Sequence, residues 1–226
     1  MHFLSRNLLF FLVISSSHLV AQVHVIMTSA ILNLDYERRK QEYIRSINSI
    51  KSYGIEPWII EATNIDHSFF DEISTQVLYP QVNNLSIGNK GVNETMSIKT
   101  SIPYLPFDDE DIVIKLTGRY WLYSREFIDI IESTCKDYDA YVCFGKHFVG
   151  KKHIFTGCFA LRWKHYKKII DEMDFERAEK DWLPIEMLFA DAIQNHHLRI
   201  KVVDPLHVNA RIFFDGQMGL DNILEF

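Results

Sequence analysis

The chain has 226 residues, 47% hydrophobic and 24% charged, which is enough apolar material for a globular core and excludes a disordered tail. Its 24 basic and 30 acidic residues leave a net charge of −6 with histidine neutral. That balance lacks the electrostatic footprint of a nucleic-acid binder, so no nucleic-acid partner is expected.

Arg6, the apolar run over residues 8–14 and then Ser15-Ser16-Ser17 follow the order of a signal peptide. The run is too short for a transmembrane helix, although residues 8–21 would make a marginal signal anchor. Residues 1–21 are therefore expected to be a signal peptide or membrane anchor, with residues 22–226 forming the domain. A cytoplasmic protein with an N-terminal helix packed on the domain is the alternative. In a eukaryotic lumen, Asn84-Leu85-Ser86 and Asn93-Glu94-Thr95 would be glycosylation tripeptides. Cys135, Cys143 and Cys158 cannot all pair within one chain, and no C-x-x-C is present. Buried thiols are expected, with one disulfide open to an exported chain.

Val23-His24-Val25-Ile26-Met27 is a β-branched run that predicts a buried strand ending at Thr28-Ser29-Ala30. Asp35 can cap the following helix, along which Tyr43, Ile47 and Ile50 recur at helical spacing up to Gly54. A second strand ends at Glu61, and strand, helix and strand make a βαβ unit with parallel pairing. Residues 68–73 predict a short helix. Residues 91–105 predict a longer one, stopped by Pro103. Residues 111–116 are a strong strand halted at Thr117-Gly118-Arg119-Tyr120. Ser124 can cap a helix through Phe127, Ile130 and Ile131. Strands are expected at 140–144 and at 154–161, the latter with Gly157 inside it. Trp163, Tyr166, Ile169 and Ile170 mark one helix, and Ile185, Leu188, Phe189, Ala192 and Ile193 another. Residues 200–203 form the last predicted strand. This alternation predicts a single α/β domain with a mostly parallel sheet and helices on both faces. Ligands in such sheets bind beyond the carboxyl ends of the strands, here residues 28–30, 61–63 and 117–120.

Val25-Ile26-Met27-Thr28-Ser29 with Asn33-Leu34-Asp35-Tyr36-Glu37-Arg38, and the step from Gly54-Ile55 into Trp58-Ile59-Ile60, resemble the start of glycosyltransferases of the GT-A type. Asn89-Lys90-Gly91-Val92-Asn93-Glu94 resembles the stretch that leads into their central strand. Lys115-Leu116-Thr117-Gly118-Arg119-Tyr120 is similar to a segment of small bacterial and viral proteins grouped with them. The resemblance implies a GT-A-like fold, a nucleotide-sugar donor and a glycan, lipid or protein acceptor. It also implies an Asp-x-Asp pair holding Mn²⁺ or Mg²⁺ at the end of that strand. The equivalent slot reads Thr117-Gly118-Arg119. A guanidinium can carry the same charge role, so no metal cofactor is expected. A non-catalytic module that binds a glycan or partner protein is the second reading. Asp109-Glu110-Asp111 and Asp137-Tyr138-Asp139 precede strands, and solvated turns are expected there.

The resemblance also supplies site residues. Glu186, in the first turn of an amphipathic helix, would deprotonate the acceptor; its structural alternative is helix-dipole stabilisation. Asp181 is the second candidate base, or an N-cap. Arg119 would stabilise the leaving diphosphate. Thr28, Ser29, Glu61, Lys90, Asn93, Lys115, Thr117, Gly118 and Gly157 would surround the donor, with Lys90, Lys115 and Arg119 as its cations. His207 stands where the family carries a C-terminal metal-binding histidine; without the acids it is expected to contact phosphate or to be structural.

Overall fold

The β-branched run becomes the middle of a seven-stranded sheet. In the computed structural model, which describes residues 21–30, 36–63, 66–82, 86–144, 153–211 and 223–225, β1 spans Val23–Ser29. Helix α1 (Tyr36–Ser52) buries Tyr43, Ile47 and Ile50. Gly54 follows at φ +84°, a left-handed value that only glycine adopts without a Cβ penalty. Strand β2 (Trp58–Glu61) pairs parallel with β1, Ser29 beside Glu61. A 3₁₀ turn capped by Ser68 leads to β3 (Val77–Leu78), parallel to β2. Helix α2 (Lys90–Ser101) runs into a 3₁₀ turn containing Pro103. Strand β4 (Ile112–Thr117) then returns beside β1, again parallel.

The rest of the chain is β5 (Trp121–Leu122), α3 (Glu126–Thr134), β6 (Ala140–Val142), β7 (Cys158–Arg162), α4 (Trp163–Glu172) and α5 (Phe175–Lys180). Helix α6 (Ile185–Asn195), β8 (Ile200–Val202), β9 (Val208–Arg211) and β10 (Ile223–Glu225) close it. The sheet order is β3-β2-β1-β4-β7-β6-β8, with β7 antiparallel to both neighbours. A small sheet, β10-β9-β5, is antiparallel throughout. Helices α1 and α3 pack on one face of the large sheet and α2, α4 and α6 on the other. The protein is thus a single-domain α/β structure with a mostly parallel central sheet flanked by helices.

Several expectations are corrected. The strand expected over 154–161 starts only at Cys158; Ile154 merely bridges Phe144, and Gly157 lies ahead of the strand. Strands β3, β5, β9 and β10 and helix α5 were not anticipated, because two to six residues are too few to show a period. In the acidic triplets Asp109, Glu110 and Asp137 are exposed in turns as expected, but the last acid of each is not solvated. Asp111 and Asp139 are buried. Asp111 accepts from the Gln22 amide at 2.8 Å and the Asp108 amide at 2.9 Å, satisfying donors that the strand edge leaves open. Asp139 holds Arg162 and Arg199.

Cys135 and Cys158 are buried, Cys143 is half-buried, and none of the three is in a disulfide. The Asn93-Glu94-Thr95 tripeptide lies inside α2 with Thr95 buried, not in a surface loop. Residues 1–20, Asp35 and Asn84 lie outside the described residues. Among the described residues no helix is long and apolar enough to cross a membrane.

Candidate functional site

The carboxyl ends of β1 and β4 open onto a cleft of about 500 Å³. Thr28 and Ser29 of β1 and Thr117 of β4 line its base, and α1 contributes Arg39 and Tyr43. The opposite wall is α2, whose Lys90, Asn93, Glu94 and Ser97 all reach the cleft. Their spacing of i, i+3, i+4 and i+7 puts them on one helix face, while Val92 and Ile98 point into the core.

At the turn after β4, the Gly118 amide donates to the Thr28 carbonyl at 2.9 Å. A Cβ on Gly118 would lie 2.6 Å from that carbonyl and 2.7 Å from the Tyr43 ring. Glycine therefore lets the chain turn tightly against β1 and delivers Arg119 to the cleft. The Tyr43 hydroxyl donates to the Ala30 carbonyl at 3.2 Å and accepts from its amide at 3.1 Å. Burial pushes the Tyr43 phenol up, so it remains a neutral pin for the end of β1.

Glu94 is the one carboxylate among the residues that line the cleft. It accepts from Thr28 Oγ1 and pairs with Lys115 Nζ at 2.8 Å. Lys115, with 4% of its side chain exposed, also donates to Thr117 Oγ1 and the Thr156 carbonyl, each at 2.8 Å. All three ammonium protons are thereby used. Burial raises the Glu94 carboxyl, but Lys115 and the hydroxyl donors outweigh it and hold it below the ordinary value. Glu94 is a fixed anion that neutralises Lys115.

Three cations then remain around the cleft: Arg39, Lys90 and Arg119. Arg39 Nη1 reaches the Ala30 carbonyl at 3.5 Å, and its buried Nε has no partner among the described residues. Lys90 and Arg119 make no hydrogen bond or ion pair to any described residue. Hydroxyls and cations without a matching acid suit a ligand with several anionic oxygens, such as a diphosphate.

The structure brings together Thr28, Ser29, Lys90, Asn93, Thr117 and Arg119. Lys115 lies beneath the cleft, already paired. Glu61 is fully buried below Ser29; it accepts from Ser29 Oγ and from the Thr63 amide at 2.8 Å. Glu186, in the first turn of α6, accepts from Thr156 Oγ1 at 3.0 Å and lies beside Tyr120. Gly157 seats under the stacked rings of Tyr120 and Phe155. Asp181 and His207 stand apart. Asp181 closes α5, 3.5 Å from Arg177, and does not cap α6, which begins after Pro184. His207 pairs with Glu126 at 3.1 Å beside Tyr123. A helix start favours an anion, and α2 holds one of its own there: Glu179 accepts from the Gly88 amide at 2.8 Å and the Asn89 amide at 3.0 Å. Sequence reasoning missed Glu94 and Arg39. The available signal for Glu94 was its place one residue after Asn93 on the polar face of α2.

Among the described residues no three His, Cys, Asp or Glu side chains converge as metal ligands. The slot holds Thr117, Gly118 and Arg119, and the nearby Glu94 is held by Lys115. Among the described residues the slot thus offers no unpaired carboxylate oxygen of the kind that Mn²⁺ and Mg²⁺ ordinarily take.

No protein-family model matches the sequence, and no curated protein is similar to it. Solved structures match at low identity. The galactosyltransferase LgtC, solved with donor and acceptor sugar analogs, has a TM-score of 0.52 at 10% identity over 80% of this chain and 73% of its own. The bifunctional IspDF from Campylobacter jejuni has a TM-score of 0.54 at 13% identity, over 81% of this chain and 49% of its own. The glycosyltransferase GlyE from Streptococcus pneumoniae has a TM-score of 0.50 at 9% identity, over 81% and 45%. This chain spans about half the length of the last two. The likeness is one of fold, the GT-A-like arrangement.

Proposed function

We propose that the chain is a glycosyltransferase that moves a sugar from a nucleotide-sugar donor to a hydroxyl on a glycan, lipid or protein, and that it does so without a divalent cation. The observation that carries this reading is the convergence of Arg39, Lys90 and Arg119 on one hydroxyl-lined cleft in a chain of net charge −6. In this reading the diphosphate lies between Lys90 and Arg119, and the guanidinium fork takes up the charge that grows on the leaving nucleoside diphosphate. Ser29, anchored by Glu61, faces the nucleoside. Glu186 accepts the acceptor's proton from beyond Tyr120. Export or membrane association through residues 1–21 belongs to the same proposal and rests on their sequence pattern.

LgtC and GlyE, both glycosyltransferases, support the reading as fold relatives. The non-catalytic alternative gives no reason to hold Lys90 and Arg119 without acids. A thermal-shift screen with UDP, GDP, CMP and their sugars, with and without Mn²⁺, tests the donor site. Product analysis then separates chemistries: released nucleoside diphosphate with a lengthened saccharide is expected. Stabilisation by no nucleotide, or pyrophosphate as the product, overturns the proposal.

A further inference from the structure

Trp182 is 67% exposed, whereas Trp163 is 1% exposed and Trp58 and Trp121 are half-buried. It lies two residues beyond the end of α5, just after the cap Asp181, at φ +50°. That is the helix-ending position where glycine is favoured and where a bulky side chain is rare and unfavourable. The turn is held firmly: the Leu183 amide donates to the Ala178 carbonyl at 2.9 Å, and Asn89 Nδ2 donates to the Leu183 carbonyl at 3.0 Å. A large aromatic is thus kept in solvent at a backbone position that disfavours it, a pattern that points towards use of the side chain.

The place of the ring says what that use is. A Cβ on Gly88 would lie 2.8 Å from Trp182 Cη2 and 3.1 Å from Cζ2, so the six-membered edge of the indole rests directly on Gly88. Gly88 lines the cleft. In the first turn of α2, a Cβ on Gly91 would lie as close, 2.7 Å, to Cγ2 of Ile185, the residue before Glu186. The indole therefore sits at the rim, at the α6 end. Ser29 and Ala62, from the ends of β1 and β2, line the same cleft.

We propose that Trp182 is the platform on which the pyranose ring of a carbohydrate acceptor stacks; calling that saccharide the acceptor rests on the transferase reading above. A pyranose has one face of C–H groups that packs on an aromatic face, while its rim of hydroxyls needs polar surroundings. Lys180 and Asp181, both exposed, provide them.

The test uses the full chain and tryptophan fluorescence with acrylamide as quencher. Lactose, maltose, cellobiose and chitobiose are the saccharide probes; UDP and GDP are the nucleotide probes, and phosphatidylcholine vesicles the lipid probe. At least one disaccharide should shield Trp182 from quenching. Because the variants lack the reporting indole, their affinity is read by titration calorimetry: Trp182→Ala should weaken that saccharide on the order of tenfold, with Trp182→Phe retaining most of the affinity. Nucleotide binding, read by thermal shift, should be unchanged in both variants. Shielding by UDP or GDP alone, shielding by vesicles alone, or no shielding by any disaccharide overturns the proposal. Loss of all nucleotide binding with saccharide shielding intact sinks the donor reading and leaves the platform standing.

Discussion

At the amino-terminal edge of the sheet, Asp139 grips Arg162 at 3.1 Å and Arg199 at 2.9 Å, and Asp111 meets His24 at 3.1 Å. At the carboxyl edge, Arg39, Lys90 and Arg119 surround a cleft whose one lining carboxylate is bound to Lys115. The two edges share a sheet and residue types but differ in their accounts of charge. At the first, the buried acids are matched within the protein, as an interior requires. At the second, three cations have no matching acid among the described residues, as a site for an outside anion requires. Charge near a strand end thus signals function only where its partner is missing.

The largest test of this contrast is Arg119→Ala. A donor aimed at the leaving diphosphate contributes about 3–4 kcal/mol, so turnover should fall on the order of a hundredfold or more while the melting temperature holds. Arg119→Lys should restore only part, because a point charge lacks the fork, and activity should persist in EDTA. An active Arg119→Ala enzyme, or one that works only with Mn²⁺, would refute the charge role.

Asp139→Asn should do the opposite: leave nucleotide binding intact and cost about 3 kcal/mol of stability, measured from the denaturant midpoint. Hydrogen bonds from Arg199, joined by Arg162, hold the Asp139 carboxyl well below its ordinary value. A depressed folded pKa means that the unfolded chain takes up the proton first. The stabilisation is therefore full above the ordinary carboxylate range, about pH 4, and is lost as pH falls towards the folded value. The variant's stability should depend less on pH in that window.

Glu94→Gln should fall between these extremes. It leaves the Lys115 ammonium buried without a carboxylate, costing about 2 kcal/mol, less than a fully sealed pair because Glu94 is 30% exposed. Lys115→Met added to Glu94→Gln should recover part of the loss, and a double-mutant cycle measures the coupling. A fully additive cycle would show that the pair is not a unit. The smallest effect is expected from Lys90→Ala, roughly a tenfold loss of nucleoside diphosphate affinity, about 1.4 kcal/mol, which salt should reduce. An unchanged affinity would remove Lys90 from the phosphate site.

Local pattern determined much of the protein. The β-branched runs before Thr28 and Thr117, the helix stripes and Gly54 specified the βαβ start, the parallel centre of the sheet and the end of the sheet where a ligand would lie, because each depends on neighbours only a few residues away. Thr28, Ser29, Thr117 and Arg119 followed from that rule. Pairing over long distances was decided only by the tertiary structure. The place of β7 as the antiparallel strand beside β4, the capture of Lys115 by Glu94 21 residues away in sequence, and the burial of Asp111 and Asp139 leave no periodic trace. A side chain's partner is set by which strand ends the sheet order brings together. Whether a charge is spent on structure or left for a ligand is decided there too.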